Sequence, residues 1–281
     1  PPTGRRVKGF AGMDLTHIKF DISEEIATIT LNRPDARNAL SREMREDFRT
    51  VLKLVKEQAG EEVKALILTG AGGAFCAGGD IKGMGSDERT SLITRRGLRL
   101  DHDIIYDFAH VELPVISLVD GPAAGAGCNL ALAADFVFAT PKGMFMQAFG
   151  RIGAVPDWGG FYILPRLVGL QRAKELVYSA RKVGAEEAKE IGMILDVVSQ
   201  DNAMEEVREF AGRFRTASTA AIGMAKNVLN QSFNLDHRTL LELEADAQGM
   251  ALVTPYHKAA VKRFKDKEPS LFDWEKLSAE K

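Results

Sequence analysis

The chain has few of the residues that mark disulfide-linked, membrane-spanning or strongly charged proteins. Only two of its 281 residues are cysteine, Cys76 and Cys128, which excludes a disulfide framework and is typical of a reducing compartment. No apolar run approaches the roughly 18 residues that a membrane helix needs. The net charge of −2 attracts neither nucleic acid nor an anionic membrane. We therefore expect a cytoplasmic protein, with a mitochondrial or peroxisomal matrix as the alternative.

Two nucleotide-binding motifs are also missing. Gly73-x4-Gly78 is followed by Gly79 and Asp80, so the lysine and the hydroxyl that a P-loop needs for phosphate and magnesium are absent. No Gly-x-Gly-x-x-Gly joins a strand to a helix, which excludes the dinucleotide fingerprint.

The sequence offers only a weak candidate for a metal site, Asp101-His102-Asp103. Adjacent residues of a helix point in different directions, so this triplet predicts an exposed helix face and no metal. Arg95, Arg96 and Arg99 form a local basic patch that is either near a ligand's phosphates or simply exposed.

What the chain does have is an ordinary globular composition, 45% hydrophobic and 27% charged, and enough length for a large core. Its first part alternates strands and helices, which predicts parallel strands covered by helices. The predicted strands are 26–31, 65–68, 115–119, 136–139, 144–146 and, later, 195–198. The predicted helices are 41–59, 82–110, 129–134, 170–180, 184–192, 201–217, 219–232, 236–253 and 255–267. Ser41 and Thr254 are predicted N-caps.

This layout predicts an α/β core over residues 13–205 and a helical C-terminal region over 206–281. Residues 1–12 are basic and rich in glycine and proline, and we expect a disordered arm or residues left by cloning. A degraded transit peptide is the weaker alternative.

Two glycine-rich loops follow buried strands, at the carboxyl ends where α/β folds bind ligands. The first is Ala77-Gly78-Gly79-Asp80, and the second is 121–127, which opens a helix. Two backbone N–H groups converging from such loops would hold an enolate oxygen. The alternative is that the glycines only make tight turns.

Four ordered segments resemble the successive signatures of the enoyl-CoA hydratase/isomerase (crotonase) superfamily. They are LNRPDARNAL (31–40), AFCAGGDIK (74–82), GPAAGAGCN (121–129) and IGAVPDWGG (152–160). The resemblance covers about residues 15–272. It implies an α/β spiral of ββα units, a helical C-terminal trimerisation region, and a homotrimer or dimer of trimers. It also implies an acyl-CoA thioester substrate, an enolate intermediate and no separate cofactor, since coenzyme A is part of the substrate.

The resemblance also implies roles for individual residues. The oxyanion donors would be the amides of Gly79 and Ala126. Coenzyme A and the acyl group would lie against Arg37, Ala39, Ala77, Gly78, Asp80, Ile81, Lys82, Gly125, Asn129, Phe149 and Trp158. Phe264 and Lys267 match nucleotide-binding positions, often of a neighbouring subunit. An i, i+3 pair shares one face of a helix, and the alternative for this helix is a solvated basic face.

The chain departs from the family's hydratases at both catalytic glutamates. Asn129 and Phe149 stand at those positions, and neither exchanges a proton. Asp157 is the carboxylate that remains. In having a carboxylate at this position, the chain resembles the family branches that isomerise acyl-CoA, above all the 1,2-epoxyphenylacetyl-CoA isomerase branch. Trp158 and Val155 would desolvate Asp157 and raise its pKa.

These residues favour an enoyl-CoA isomerase in which Asp157 is the lone acid and base. A helix N-cap is the alternative role for Asp157. The competing functions are an enoyl-CoA hydratase on an unusual acyl group, a dehalogenase-type attack by Asp157, and a non-catalytic relative that binds acyl-CoA or RNA. We expect no metal, no membrane contact and no nucleic acid partner.

Overall fold

The computed structural model describes residues 14–80 and 90–279. Its strands are β1 (Ile18–Ser23), β2 (Ile26–Leu31), β3 (Ala65–Gly70), β4 (Val115–Val119), β5 (Pro122–Ala124), β6 (Phe136–Ala139), β7 (Met144–Met146), β8 (Lys182–Gly184) and β9 (Asp196–Val197). Its helices are α1 (Arg42–Gln58), α2 (Ser91–His110), α3 (Ala126–Leu132), α4 (Gly160–Ser179), α5 (Ala185–Glu190), α6 (Ala203–Gly212), α7 (Thr219–Leu229), α8 (His237–Leu252), α9 (Pro255–Lys265) and α10 (Trp274–Ala279).

A six-stranded sheet in the order β1-β2-β3-β4-β6-β9 forms the centre of the molecule. β1 and β2 pair antiparallel, and every later pair in this sheet is parallel, as predicted. A second sheet has the order β5-β7-β8. Because β3 and β4 are parallel neighbours, the loops that follow them emerge at the same edge.

Both faces of the large sheet are covered, which explains why its central strands β3 and β4 are buried almost throughout. On one face, α1 buries Met44, Phe48 and Val51 in a large core cluster. On the other face, α6 buries Val207 and Ala211 in a second cluster. The predicted boundary between residues 205 and 206 falls within α6.

The predicted helix starts are confirmed where a cap determines them. Ser41 Oγ accepts a hydrogen bond from Met44 N at 3.2 Å, and Thr254 Oγ1 accepts one from His257 N at 3.2 Å. These side chains satisfy amides that have no partner within the helix.

Several elements differ from the prediction. β1, β8 and α10 were not predicted, and β5 lies inside a segment interpreted as a loop. α3 begins at Ala126, three residues before the expected start. α4 begins at Gly160, ten residues early, and is broken at Gly169, where φ is 75° and ψ is 158°. Within the described ranges, no helix is both long and apolar enough to cross a membrane.

Candidate active site

The two glycine-rich loops lie side by side and are joined by backbone hydrogen bonds. Cys76 N donates to Pro122 O at 3.1 Å, and Ala124 N donates to Cys76 O at 2.9 Å. A Cβ atom on Gly78 would lie 2.7 Å from Ala124 O and 3.5 Å from Ala126 N. Glycine at position 78 therefore lets the first loop approach the start of α3 closely.

Gly79 and Ala126 both line one cleft of about 1850 Å³. Within the described ranges, neither backbone amide donates a hydrogen bond. Ala126 is the first residue of α3, whose first amides have no acceptor within the helix. The preceding Gly125 has φ 53° and ψ −125°, a conformation open to glycine. Backbone amides without an acceptor are the groups that can bind an oxyanion.

The 31–40 segment is fastened to the first glycine loop. Leu40 N donates to Gly78 O at 2.8 Å, and Ala77 N donates to Arg37 O at 2.9 Å. The structure thus brings Ala77 and Gly78 beside Arg37, which is exposed, and beside Ala39, which is buried.

Two residues that organise this contact were missed in the sequence. Arg33 Nη1 lies 2.7 Å from Asp80 Oδ2, so the partner of Asp80 comes from the other segment. Asn38 is fully buried and donates from Nδ2 to Ala71 O and Ala74 O, both at 2.8 Å. A buried side-chain amide whose hydrogen-bonding atoms all have partners holds the neighbouring backbone segments in place. No sequence motif distinguishes such an asparagine from an exposed one.

Asp157 lies on the same cleft, in the segment before α4. Gly159 is the N-cap of that helix and no side chain caps it, so the N-cap alternative for Asp157 is excluded. Trp158 is 4% exposed and has a φ of 47°. A buried, bulky residue with positive φ is strained, and such strain is concentrated at functional sites.

The carboxyl group of Asp157 is electrostatically perturbed. Burial, and secondly the negative charge of Asp101, raise the pKa of Asp157 from 3.8 to about 6. Its Oδ1 is buried and has no hydrogen-bond partner among the described residues. The predicted direction of the pKa shift is confirmed. Val155 is 68% exposed, however, and is too exposed to account for the desolvation.

Asp101 corrects the prediction of an exposed helix face. It is 5% exposed, and its carboxylate accepts from Arg45 Nη1 at 2.6 Å and from Arg49 Nη2 at 3.4 Å. The prediction of an exposed helix face holds for His102 and Asp103, which are exposed. The missed signal was helical spacing, since Asp101 precedes the buried Ile104 and Phe108 by three and seven residues.

Asn129 and Phe149 lie behind the cleft wall and do not line it. Asn129 is fully buried, and Phe149 lies under Gly125, with ring atoms 3.7 Å from the position of a Cβ there. The structure therefore does not support direct contact of either residue with substrate. Trp158, by contrast, lines the cleft.

The remaining predicted site residues are separate from this cluster. Phe264 is 84% exposed, and α9 ends at Lys265. Lys267 follows the helix with a φ of 57°. Contrary to the prediction, Phe264 and Lys267 therefore do not share a helix face. Arg95, Arg96 and Arg99 are exposed on α2. Ile81 and Lys82 lie outside the described residues.

Neither cysteine is available as a nucleophile. Burial raises the pKa of the Cys76 thiol and of the Cys128 thiol to about 12, so both remain protonated near neutrality. Over residues 14–80 and 90–279, no group of three or more His, Cys, Asp or Glu side chains is arranged to hold a metal ion.

Comparison with known proteins places this geometry in a family. Residues 21–276 match the family model described as enoyl-CoA hydratase/isomerase. The chain belongs to the enoyl-CoA hydratase/isomerase family. It is therefore an acyl-CoA enzyme of the superfamily that its sequence resembles.

Three similar proteins illustrate the range of the family. The chain is 39% identical over 256 residues to a probable enoyl-CoA hydratase of Rhodobacter capsulatus, covering 91% of this chain and 97% of the relative. It is 33% identical over 254 residues to 1,2-epoxyphenylacetyl-CoA isomerase of Escherichia coli, covering 89% and 96%. A crystal structure of an enoyl-CoA hydratase/isomerase from Cupriavidus metallidurans aligns with TM-score 0.86 at 35% identity, covering 93% and 97%. The predicted fold is confirmed, and family membership alone does not choose between hydration and isomerisation.

Proposed function

We propose that this chain is an enoyl-CoA isomerase that uses Asp157 as its only acid and base. The observation that carries the proposal is the half-buried carboxyl group of Asp157, whose Oδ1 has no partner among the described residues, on a cleft that Gly79 and Ala126 also line. A pKa of about 6 lets this group accept and release a proton near neutral pH.

The proposed reaction moves one proton and one double bond. Asp157 takes a proton from carbon 2 of a 3-enoyl thioester, and the electron pair moves to the carbonyl oxygen as a dienolate. The amides of Gly79 and Ala126 donate to that oxygen. Protonated Asp157 then returns the proton to carbon 4, which gives the conjugated 2-enoyl thioester. One carboxyl group is sufficient because the proton that leaves is the proton that returns.

Hydration is the second candidate, since the relative from Rhodobacter capsulatus is named a probable hydratase. Adding water needs one group that deprotonates the water and another that manages the proton on the α-carbon. Among the described residues, four other carboxylates line the cleft. Asp80, Asp101 and Asp135 are each ion-paired with arginine or lysine. Hydrogen bonds from its own backbone and from Ser41 lower the pKa of Glu43. This arrangement favours isomerisation over hydration.

The test compares two substrates with wild type and Asp157→Asn. A trans-3-enoyl-CoA and a trans-2-enoyl-CoA are incubated separately, and the conjugated thioester absorbance and the product mass are followed. We expect conjugation from the 3-enoyl substrate with no change in mass. We also expect Asp157→Asn to lower kcat by at least about 10²-fold. Asp103→Asn, the same change at an exposed position of α2, should leave the rate unchanged.

Other outcomes have distinct meanings. A gain of one water from the 2-enoyl substrate contradicts the isomerase proposal and supports hydration. Coenzyme A binding without turnover of either substrate supports a non-catalytic relative.

We extend the proposal to coenzyme A recognition by Arg37, Ala39 and Ala77, and to a homotrimer or dimer of trimers. Analytical ultracentrifugation tests the assembly.

A further inference from the structure

A chain of two buried side-chain amides runs from Gln147, the residue after β7, to the backbone of Asp157. Gln147 Nε2 donates to Asn129 Oδ1 at 2.8 Å, and Asn129 Nδ2 donates to Asp157 O at 2.7 Å. Asn129 is fully buried and Gln147 is 3% exposed. Neither side chain lines the cleft, so neither is available to a substrate.

The direction of both hydrogen bonds is determined by the carbonyl at the end of the chain. Asp157 O accepts and never donates, so Asn129 must turn its NH2 group towards it. The Oδ1 atom of Asn129 then faces Gln147, which must in turn present its own NH2 group. Gln147 therefore holds the Asn129 amide in the one orientation that can bind Asp157 O.

The carbonyl of Asp157 has a second donor, Gly160 N, at 2.9 Å. A Cβ on Gly160 would lie 2.3 Å from Asn129 Nδ2, so a glycine there is what allows the amide to reach Asp157. The backbone of Asp157 is thus held from two sides, whereas its Oδ1 has no partner among the described residues. The location of the carboxyl group depends on how its backbone is held.

We propose that Gln147 and Asn129 are positioning residues that hold Asp157 at the correct place on the cleft. This inference rests on the proposed function of Asp157. Asn129 thus has a role in catalysis without touching the substrate. A misplacement of about 1 Å at a reacting group can lower a rate by about 10²-fold.

Asn129→Asp is the sharpest variant because it keeps the shape and removes the donor. The new side chain cannot donate to Asp157 O when it is an ionised carboxylate, whereas a protonated carboxyl group can donate its O–H. We expect kcat to fall about 10²-fold at pH 8 with KM unchanged. The ratio of variant to wild-type kcat should rise as the pH falls. An ionised carboxylate at position 129 also raises the pKa of Asp157, so the titration of Asp157 is fitted separately in each protein before the ratio is taken. Cys128 lies 3.5 Å from Gln147 Nε2, and with a pKa of about 12 it does not titrate in this range.

Gln147→Met is the second variant, of similar volume and without a buried charge. It removes the donor that orients Asn129, and we expect a loss of about tenfold in kcat. Ser117→Ala is the matched control, because the Ser117 hydroxyl is also buried, lies in β4 and has no partner among the described residues. It should leave kcat and its pH dependence unchanged.

A purely structural role predicts a different result. In that case both variants lower Tm while kcat per folded enzyme stays at the wild-type value and the ratio is flat with pH, which overturns the inference. If Asn129→Asp does not fold, Gln147→Met decides alone, and an unchanged kcat overturns the proposal. Full activity in Asp157→Asn would instead overturn the proposed function. An inactive Asp157→Asn beside normal positioning variants would overturn only the positioning role.

Discussion

At the residue scale, Asp157 combines reactivity with a cost to stability. Its folded pKa of about 6 lies above the ordinary value of 3.8, so the unfolded chain ionises more readily than the folded protein. Below pH 3.8 both states are protonated and no penalty exists. The penalty grows between pH 3.8 and 6 and is complete above that range, on the order of 2–3 kcal/mol.

Asp157→Asn should therefore stabilise the protein in a pH-dependent way. The amide carries no charge, so we expect Tm to rise by a few degrees at pH 8 and to match wild type near pH 4. Thermal unfolding at a series of pH values measures this difference. A gain in Tm that is the same at every pH would mean that ionisation of Asp157 is not its cause.

The pH dependence of the reaction should report the same group. If ionised Asp157 is the base, kcat/KM rises with pH through an apparent pKa of about 6. Asp101→Asn removes the neighbouring negative charge and leaves Arg45 and Arg49 without their partner. The pKa of Asp157 should therefore fall, and the acidic limb of the kcat/KM–pH profile should move to lower pH. Asp107→Asn is the control, because Asp107 forms an exposed ion pair with Lys56 at 2.9 Å on the same helix. If the acidic limb of the profile stays at the same pH in Asp101→Asn, the electrostatic coupling between Asp101 and Asp157 is contradicted.

At the element scale, the two amide-bearing loops are held together by close backbone contacts. Gly127, the second residue of α3, has no room for a side chain. A Cβ there would lie 2.4 Å from Cys76 O and 2.7 Å from Cys76 Sγ. The start of α3 and the first glycine loop therefore cannot keep their spacing if position 127 carries a side chain.

Gly127→Ala should separate the two proposed oxyanion donors. We expect a loss of about 1–3 kcal/mol in the free energy of unfolding and a fall of about 10²-fold in kcat. Urea unfolding and steady-state kinetics measure the two effects. Gly249→Ala on α8 is the control, because a Cβ there meets nothing within 4 Å, and a helix interior gains up to about 1 kcal/mol from alanine. Wild-type kcat in Gly127→Ala would show that the spacing of the loops does not matter.

At the scale of the whole molecule, an ion pair between the buried Lys226 and the more exposed Asp135 ties a C-terminal helix to the α/β core. Lys226 of α7 is 7% exposed, and its Nζ lies 2.8 Å from Asp135 Oδ2 and 3.0 Å from Leu113 O. Burial raises the pKa of Asp135 and lowers the pKa of Lys226, which the mutual attraction opposes. This contact joins α7 to the segments at the start of β4 and β6.

Lys226→Met should weaken the fold because it leaves Asp135 without its cation and Leu113 O without the Nζ donor. Because solvent reaches Asp135, we expect a loss of about 1–3 kcal/mol, below the value for a fully buried pair. Adding Asp135→Asn should restore part of this loss, and urea unfolding of the three proteins measures it. Lys56→Met breaks an exposed pair and should cost less than about 1 kcal/mol. A loss in Lys226→Met no larger than in Lys56→Met would contradict this account.

The amino-acid sequence by itself determined the elements that local rules control. Apolar runs such as 65–68 and 115–119 predicted central strands, and Ser41 and Thr254 predicted helix starts, because burial patterns and caps act within a few residues. Four ordered motifs indicated the family. Because Asn129 and Phe149 stand at the positions of the hydratase glutamates, Asp157 was the candidate catalytic carboxylate that remained. β1 and β5 were missed, since their pairing depends on partners distant in the chain.

Only the tertiary structure decided how the site is assembled. The sequence predicted an exposed helix face at Asp101, yet folding buries it against two arginines of α1 and brings its charge close enough to affect Asp157. Likewise, Asn129 has no local feature that indicates a hydrogen bond to a carbonyl 28 residues away. Local sequence encodes propensities and caps, whereas desolvation, charge proximity and hydrogen-bond direction depend on which distant segments the fold brings together.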